Sequence, residues 1–286
     1  MTGEPSHLLL LILCAAVSVA LVVERFRPLW FTVPPYLRYL WMFLLAFIVA
    51  TWVSFVVAIW LLALFSFRTL REYFSLVDIR VQDRWGIWGA YLFIPFMIYL
   101  IQIDWYGLFI ISIPVYAFLV VPFLVVLGGR DYRGTVLSIG AIDFGLFLFV
   151  YCLGHIGYLL LFSLWWATLL VLGVALCNVI SQLIGREDHP SWRLYLAKLA
   201  ACAPVTVALS LALSPLTEIP QPHVTLLGLL IPILVLVGNH TVMVIECDLG
   251  IAPARLEPGR GQIIHGTRSY LFAAPIVFHY IRYYLM

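Results

Sequence analysis

Long apolar stretches, broken by small groups of arginine, constrain this chain more than any other feature. Apolar runs cover about 8–23, 37–67, 86–101, 105–127, 136–161, 165–184, 196–215, 223–245 and 270–285. A helix needs about 20 apolar residues to cross the hydrocarbon core of a bilayer, and several of these runs are that long. Only 10% of the 286 residues are charged, against roughly 25% in a soluble domain. The fold class these features predict is an all-α, polytopic integral membrane helical bundle. No basic run is interleaved with aromatics in the manner of a nucleic-acid-binding surface, so no nucleic-acid partner is expected.

Charge sets the topology. Of the 16 basic residues, all but Lys198 are arginine. They fall in five groups: Arg25/Arg27/Arg38, Arg68/Arg71/Arg80/Arg84, Arg130/Arg133, Arg186/Arg193/Lys198 and Arg255/Arg260/Arg268. The connections near Gln102–Asp104, Phe162–Leu164 and Leu216–Pro222 hold neither Lys nor Arg. The positive-inside rule puts all five groups in the cytoplasm. That requires 37–67, long for one helix and short for two, to leave and return as a hairpin breaking near Thr51–Ser54. About ten spans result, or nine if the hairpin is re-entrant, with the N-terminus outside. Arg282 alone departs from the pattern and is expected to snorkel toward the interface.

The first run lacks the basic lead and small-residue cleavage site of a signal peptide, so it is expected to stay as a span. The chain reads as one integral membrane domain, 1–286, with N-terminal helices in 1–134 and a core in 135–286. Pro95, Pro114, Pro122, Pro204, Pro232 and Pro275 lie within spans and are expected to kink them, neighbouring helices satisfying the freed carbonyls. Four cysteines (Cys14, Cys152, Cys177, Cys202) sit in apolar runs and read as small buried hydrophobes. Cys247 lies in a polar segment.

Polar residues within membrane spans are functional candidates by default. Asp143 and His155 share one run but not one helical turn, and structural hydrogen bonding is the preferred reading for both. Asn178, Ser181 and Gln182 close the 165–184 run, and Asn239, His240 and Thr241 lie about one turn above Glu246 and Asp248. Asn178 and the 239–248 group are therefore expected to converge near the cytoplasmic side. Beyond them lies a polar segment with Glu246, Cys247, Asp248, Arg255, Glu257 and Arg260. Next come the glycine turn Pro258-Gly259-Arg260-Gly261, then His265-Gly266-Thr267-Arg268, before apolar sequence resumes.

The turn, together with the C-terminal segments Ser269-Tyr270-Leu271-Phe272-Ala273-Ala274-Pro275 and Ile281-Arg282-Tyr283-Tyr284, resembles the C-terminal signature of the phosphatidate cytidylyltransferases, the CDP-diacylglycerol synthases. Leu70-Arg71-Glu72-Tyr73 is similar to an early segment of that family. Ala175-Leu176-Cys177-Asn178-Val179-Ile180-Ser181-Gln182 with Gly185-Arg186 is similar to a middle one. The resemblance covers most of the chain at low identity. It implies a CDP-diacylglycerol-synthase-like bundle, and family members are commonly dimeric.

Where the family carries charge, this chain departs from it. The family's N-D pair stands here as Asn178-Val179, its G-D pair as Gly238-Asn239, and its K-R pair as Glu246-Cys247. Its G-H-G-G turn stands as Gly259-Arg260-Gly261-Gln262, and its D-R-x-D-S ending as His265-Gly266-Thr267-Arg268-Ser269. The family's reaction joins CTP to phosphatidate, two polyanions, and such transfers depend on positioned cations. Hard Mg²⁺ asks for carboxylate oxygens, and asparagine offers shape without charge.

The expectation is therefore a catalytically degenerate relative, with Asn178, Asn239, Glu246, Asp248 and His265 as altered catalytic positions. It needs no cofactor, or Mg²⁺ if active. Arg255, Arg260 and Arg268, with Gly259 and Gly261, are the expected contacts to an anionic phospholipid headgroup. Asp248, His240 and His265, with Cys247, are the metal-ligand candidates. The expected setting is a bacterial cytoplasmic (inner) membrane, the partners membrane lipids and a homodimer or membrane-enzyme mate. The alternatives are an active cytidylyltransferase with an altered metal site, drawing on Asp143, Glu187, Asp188, Glu246, Asp248 and Glu257, and a lipid transporter or scramblase.

Overall fold

The computed structural model describes residues 5–26, 35–128, 133–185, 191–251 and 260–286, which form ten helical rods and no strand. The first four are α1 (Pro5–Phe26), α2 (Pro35–Trp52), α3 (Phe55–Phe74) and α4 (Arg84–Gln102), the last entered through a 3-10 turn at Val81–Asp83. Then come α5 (Tyr106–Gly128), α6 (Thr135–Phe162), α7 (Leu164–Ile184), α8 (Trp192–Thr217), α9 (Gln221–Asp248) and α10 (Gln262–Leu285). α5 contains a wide π-helical turn at Ser112–Ala117. Pro114 lies in it, and a proline that lacks an N–H and crowds the preceding turn accounts for the widening.

α4 to α9 are each long and apolar enough to cross a membrane, while α1 and α2 carry shorter apolar stretches, Leu8–Glu24 and Tyr36–Trp52. α3 and α10 are more polar at one end: Arg68, Arg71 and Glu72 lie in the last turns of α3, His265 and Arg268 in the first turns of α10. The protein is an all-α polytopic membrane bundle. Its lipid-facing rim is visible on α5, where Leu119, Phe123 and Leu127 are all exposed. Of the apolar window of α7, 61% is buried against 28% for α5 and α8, so α7 is central and those two are peripheral.

The 37–67 run is two helices, as the charge pattern requires. The break falls at Val53–Ser54, where Ser54 is extended (φ −169°, ψ 135°) and its Oγ accepts the Val56 N–H. Consecutive rods alternate in direction, so connections collect at two ends. At one end they are short: 53–54, 103–105, Ser163 and 218–220. At the other the described helix ends carry arginine, Arg38 in α2, Arg68 and Arg71 in α3, Arg84 in α4, Arg193 in α8 and Arg268 in α10, and this is called the basic end below. There Arg80 pairs with Asp83 at 2.7 Å and also donates to Arg133 O and Thr135 Oγ1, tying the α3–α4 connection to the α5–α6 connection.

Two boundaries differ from those expected. α9 continues through Glu246, Cys247 and Asp248, and α10 begins at Gln262 instead of near 270. In these polar extensions Glu246, His265, Arg268 and Ser269 find partners across helix interfaces. Cys14, Cys152, Cys177 and Cys202 are buried and Cys247 is exposed.

Candidate functional site

The site is set by how α10 starts. Gly261 holds φ at +71°, a left-handed conformation that suits glycine, and Ile251 packs where a Cβ would stand. The first N–H groups of a helix have no partner within it. Here Glu72, at the end of α3, accepts two of them: Ile263 N–H (2.8 Å) and Ile264 N–H (3.0 Å), both at Oε2. A carboxylate at that position also complements the helix dipole. From α2, Tyr39 donates its hydroxyl to Gln262 O at 2.9 Å, and its ring lies against Gly266. A Cβ on Gly266 would stand 1.7 Å from Tyr39 Cε2, so only glycine fits. With its start pinned by α2 and α3, α10 presents His265, Arg268 and Ser269 to its neighbours; residues three and four apart share a face.

On that face three side chains from α7, α9 and α10 close on one another. Asn239 Nδ2 donates to Asn178 Oδ1 at 3.1 Å. The Ser269 hydroxyl is 2.9 Å from Asn178 Oδ1 and 2.6 Å from Asn239 Oδ1, and its single proton serves one of them at a time. All three residues are buried. This meets the expectation that Asn178 and the 239–248 group converge.

Seven residues along α9 from Asn239, and so on the same face, stands Glu246, whose side chain is fully buried. Its Oε2 accepts from His265 Nδ1 (3.2 Å) and Arg268 Nη1 (3.3 Å). A carboxylate only accepts, so the Nδ1 of His265 carries the proton in this contact. Oε1 is shielded from solvent and has no hydrogen-bond partner. Leaving a buried acceptor unmet costs on the order of 1–3 kcal/mol. Arg260 is exposed and lies beside Gly250, just past the end of α9.

The expected site residues therefore divide. Asn178, Asn239, Glu246, His265 and Arg268 come together, with Gly261 shaping the approach. Arg255 and Gly259 lie outside the described residues, as do Glu187, Asp188 and Glu257. Asp248 and Cys247 face outward, exposed. His240 turns to α8, its Nδ1 2.7 Å from the Tyr195 hydroxyl, while His265 is taken by Glu246. Among the described residues no three of His, Cys, Asp and Glu are grouped so as to hold a metal ion. Mg²⁺ prefers carboxylate oxygens, whereas the converging oxygens here are amide and hydroxyl oxygens engaged with one another and one ion-paired carboxylate. The described donor set does not fit that ion.

The reading of Asp143 as a structural hydrogen-bonding residue is corrected: both its carboxylate oxygens are shielded and unpartnered, no donor reaching them at that depth. His155 fits half of that reading, since Nδ1 donates to Tyr151 O at 2.8 Å while Nε2 is unpartnered. Arg282 is partly exposed in the last turn of α10, beside the short connections. Its guanidinium lies over the Tyr106 ring at 3.8 Å and the Phe162 ring at 5.6 Å. Sequence reasoning missed Tyr39, which carries no motif, and the capping role of Glu72, whose only signal was its place in Leu70-Arg71-Glu72-Tyr73.

No protein-family model and no solved structure matches this chain. Over 57 residues, 20% of each chain, it is 42% identical to a phosphatidate cytidylyltransferase of Synechocystis sp.. Over 237 residues, 77% of this chain and 78% of the relative, it is 30% identical to the uncharacterized protein YnbB of Escherichia coli (strain K12). With that identity over more than three quarters of both chains, this protein belongs to the family of YnbB.

Proposed function

We propose that this is a phospholipid-binding membrane protein of phospholipid metabolism, built like a phosphatidate cytidylyltransferase but without cytidylyl transfer. One observation carries the reading. Asn178, Asn239 and Ser269, 91 positions apart at the extremes, meet in a neutral, mutually bonded cluster on three helices. Asn178 and Ser269 match the phosphatidate cytidylyltransferase pattern while Asn239 stands where that pattern carries an acid, and the partial identity to the Synechocystis enzyme supports the same relationship. Their meeting favours a shared frame; their neutrality argues against the family's chemistry. Two polyanions brought to reaction need concentrated positive charge, and metal ions that supply it need anionic ligands.

What the site retains is suited to recognition. Arg268, held at its partly exposed position by Glu246, and Arg260, exposed by the end of α9, offer planar donor forks to phosphate oxygens. The basic end then lies at the cytoplasmic surface of a bacterial inner membrane, where arginines meet anionic lipid. A homodimer or a membrane-enzyme mate would use what the site binds.

The test is an assay of the purified full chain with phosphatidate, labelled CTP and Mg²⁺ or Mn²⁺, beside a working synthase as control. The expected result is no CDP-lipid, with phospholipid retained through purification. Turnover that is lost in Asp248→Asn would overturn the reading and assign the chemistry to a relocated metal site.

A further inference from the structure

We infer that the Glu246–His265–Arg268 group reads a phosphoester bearing a protonated amine, an ethanolamine-type phospholipid headgroup in its membrane form. This rests on the phospholipid-binding reading above and names the headgroup. Glu246 is unevenly satisfied. Its side chain is fully buried, both available donors fall on Oε2, and Oε1 has none. A carboxylate has acceptor capacity on both oxygens, and burial makes an unfilled acceptor costly. The resting arrangement therefore lacks a donor at one defined atom.

Beside it is the opposite imbalance. Arg268 gives Nη1 to Glu246 and makes no other hydrogen bond among the described residues, though a guanidinium carries five N–H donors in a planar fork. Arg268 and His265, each 16% exposed, carry the group to the protein surface. A free acceptor and a free donor fork thus stand side by side, fixed to each other by a 3.3 Å contact. The complementary ligand has a phosphate for Arg268 and an N–H for Glu246. Phosphatidate supplies the first, and its second charge would stand against the carboxylate. A choline lipid supplies phosphate and positive charge but no N–H. An ethanolamine head supplies all three.

The experiment uses the full-length chain in detergent and native mass spectrometry with short-chain lipids. Phosphatidylethanolamine, its monomethyl and dimethyl derivatives and phosphatidylcholine form a series in which the N–H donors are removed one at a time. Phosphatidate is added as the lipid without an amine. The unaltered protein should hold the ethanolamine lipid about tenfold more tightly than the choline lipid, the size of one hydrogen bond to a charged group. Retention should fall along the series, with phosphatidate below ethanolamine.

Glu246→Gln should erase the step between ethanolamine and choline, whatever it does to phosphoester retention as a whole. Arg268→Gln should weaken every phosphoester alike. Competition by O-phosphoethanolamine would support recognition of the head alone, and its failure beside lipid binding would support a lipid-borne ligand. Equal retention of ethanolamine and choline lipids, or preference for phosphatidate, would overturn the inference and leave phospholipid binding standing. Retention of no phospholipid at all would remove both. Because the series is run first on the unaltered chain, a variant that fails to fold does not spare the idea.

Discussion

The two ends of this bundle hold their buried polar atoms in different ways. At the basic end the groups bond to one another across helices. Glu72 reaches 191 positions along the chain to Ile263, and Ser269 reaches 91 to Asn178. At the opposite end there are cross-helix bonds as well, Trp166 Nε1 to Thr217 O at 2.9 Å and His223 Nδ1 with the Tyr280 hydroxyl at 2.8 Å, but two polar groups rest on rings. Arg282 lies over Tyr106 and Phe162, and His155 is surrounded by Phe109, Tyr151, Phe278 and His279 with centroids 4.7–5.3 Å away. Directional bonds of the first kind fix helix registry and tolerate little change. Ring contacts of the second kind are broad in angle and survive small shifts. The bonded groups of the basic end should therefore be more sensitive to substitution than the ring-held Arg282 and His155.

The largest effect should come from Gly266→Ala. The Tyr39 ring occupies the space and is anchored by its own bond to Gln262 O, so it cannot swing aside freely. Overpacking of this kind costs up to about 3 kcal/mol, read as loss of thermal stability in detergent. A neutral outcome would mean that α2 and α10 are not pinned together.

Next in size, Asn239→Leu should cost about 2 kcal/mol. Single interhelical hydrogen bonds in membranes are worth under about 1 kcal/mol on average, but this change removes two at once in a buried site, leaving only the bond between Ser269 and Asn178. Its counterpart is His155→Phe at the other end. Nε2 already lacks a partner there, and the change removes only the bond within the helix from Nδ1 to Tyr151 O, so the cost should be smaller, about 1 kcal/mol. Equal losses from the two variants in thermal melts would remove the contrast between the ends.

How much of this was legible in the sequence depends on the same contrast. The break at Val53–Ser54 was readable because it rests on charge bookkeeping along the chain, which needs no knowledge of packing. The approach of Asn178 to Asn239 was readable from depth alone, each lying near the same end of its apolar run. The start of α10 was not. His265-Gly266-Thr267-Arg268 looks like loop sequence until Glu246 takes the histidine and the arginine and Tyr39 takes the glycine. Ser269 was visible as a motif position but not as the point where two amides meet, because that depends on the rotation of three helices. Asp143 was misread for the converse reason: a polar residue invites a partner, and here no donor comes within reach.

Glu72→Gln probes the basic end more gently. It keeps an oxygen for Ile263 and Ile264 but removes the charge that the helix dipole favours, and should cost about 1 kcal/mol. The readout is hydrogen exchange at the first turn of α10, which should speed up while the middle of α7 stays protected. Uniform exchange throughout would make Glu72 a general packing residue instead of a cap.

A comparably small effect should lie at the opposite end, in Arg282→Gln, at about 1 kcal/mol for a partly desolvated cation over a ring. The size alone decides little, since loss of any long side chain removes packing too. A pair of double-mutant cycles separates the two causes. Tyr106→Phe keeps the ring face under the guanidinium and deletes only the hydroxyl that lies 3.2 Å from His279 Nδ1. Tyr106→Leu deletes the face itself. If the arginine is held by the ring, Arg282→Gln should be nearly additive with Tyr106→Phe and clearly non-additive with Tyr106→Leu. If it is held by side-chain packing alone, both cycles should show the same coupling. The opposite end would then owe its tolerance to bulk and not to ring electrostatics, and the difference between the two ends would be one of directionality only.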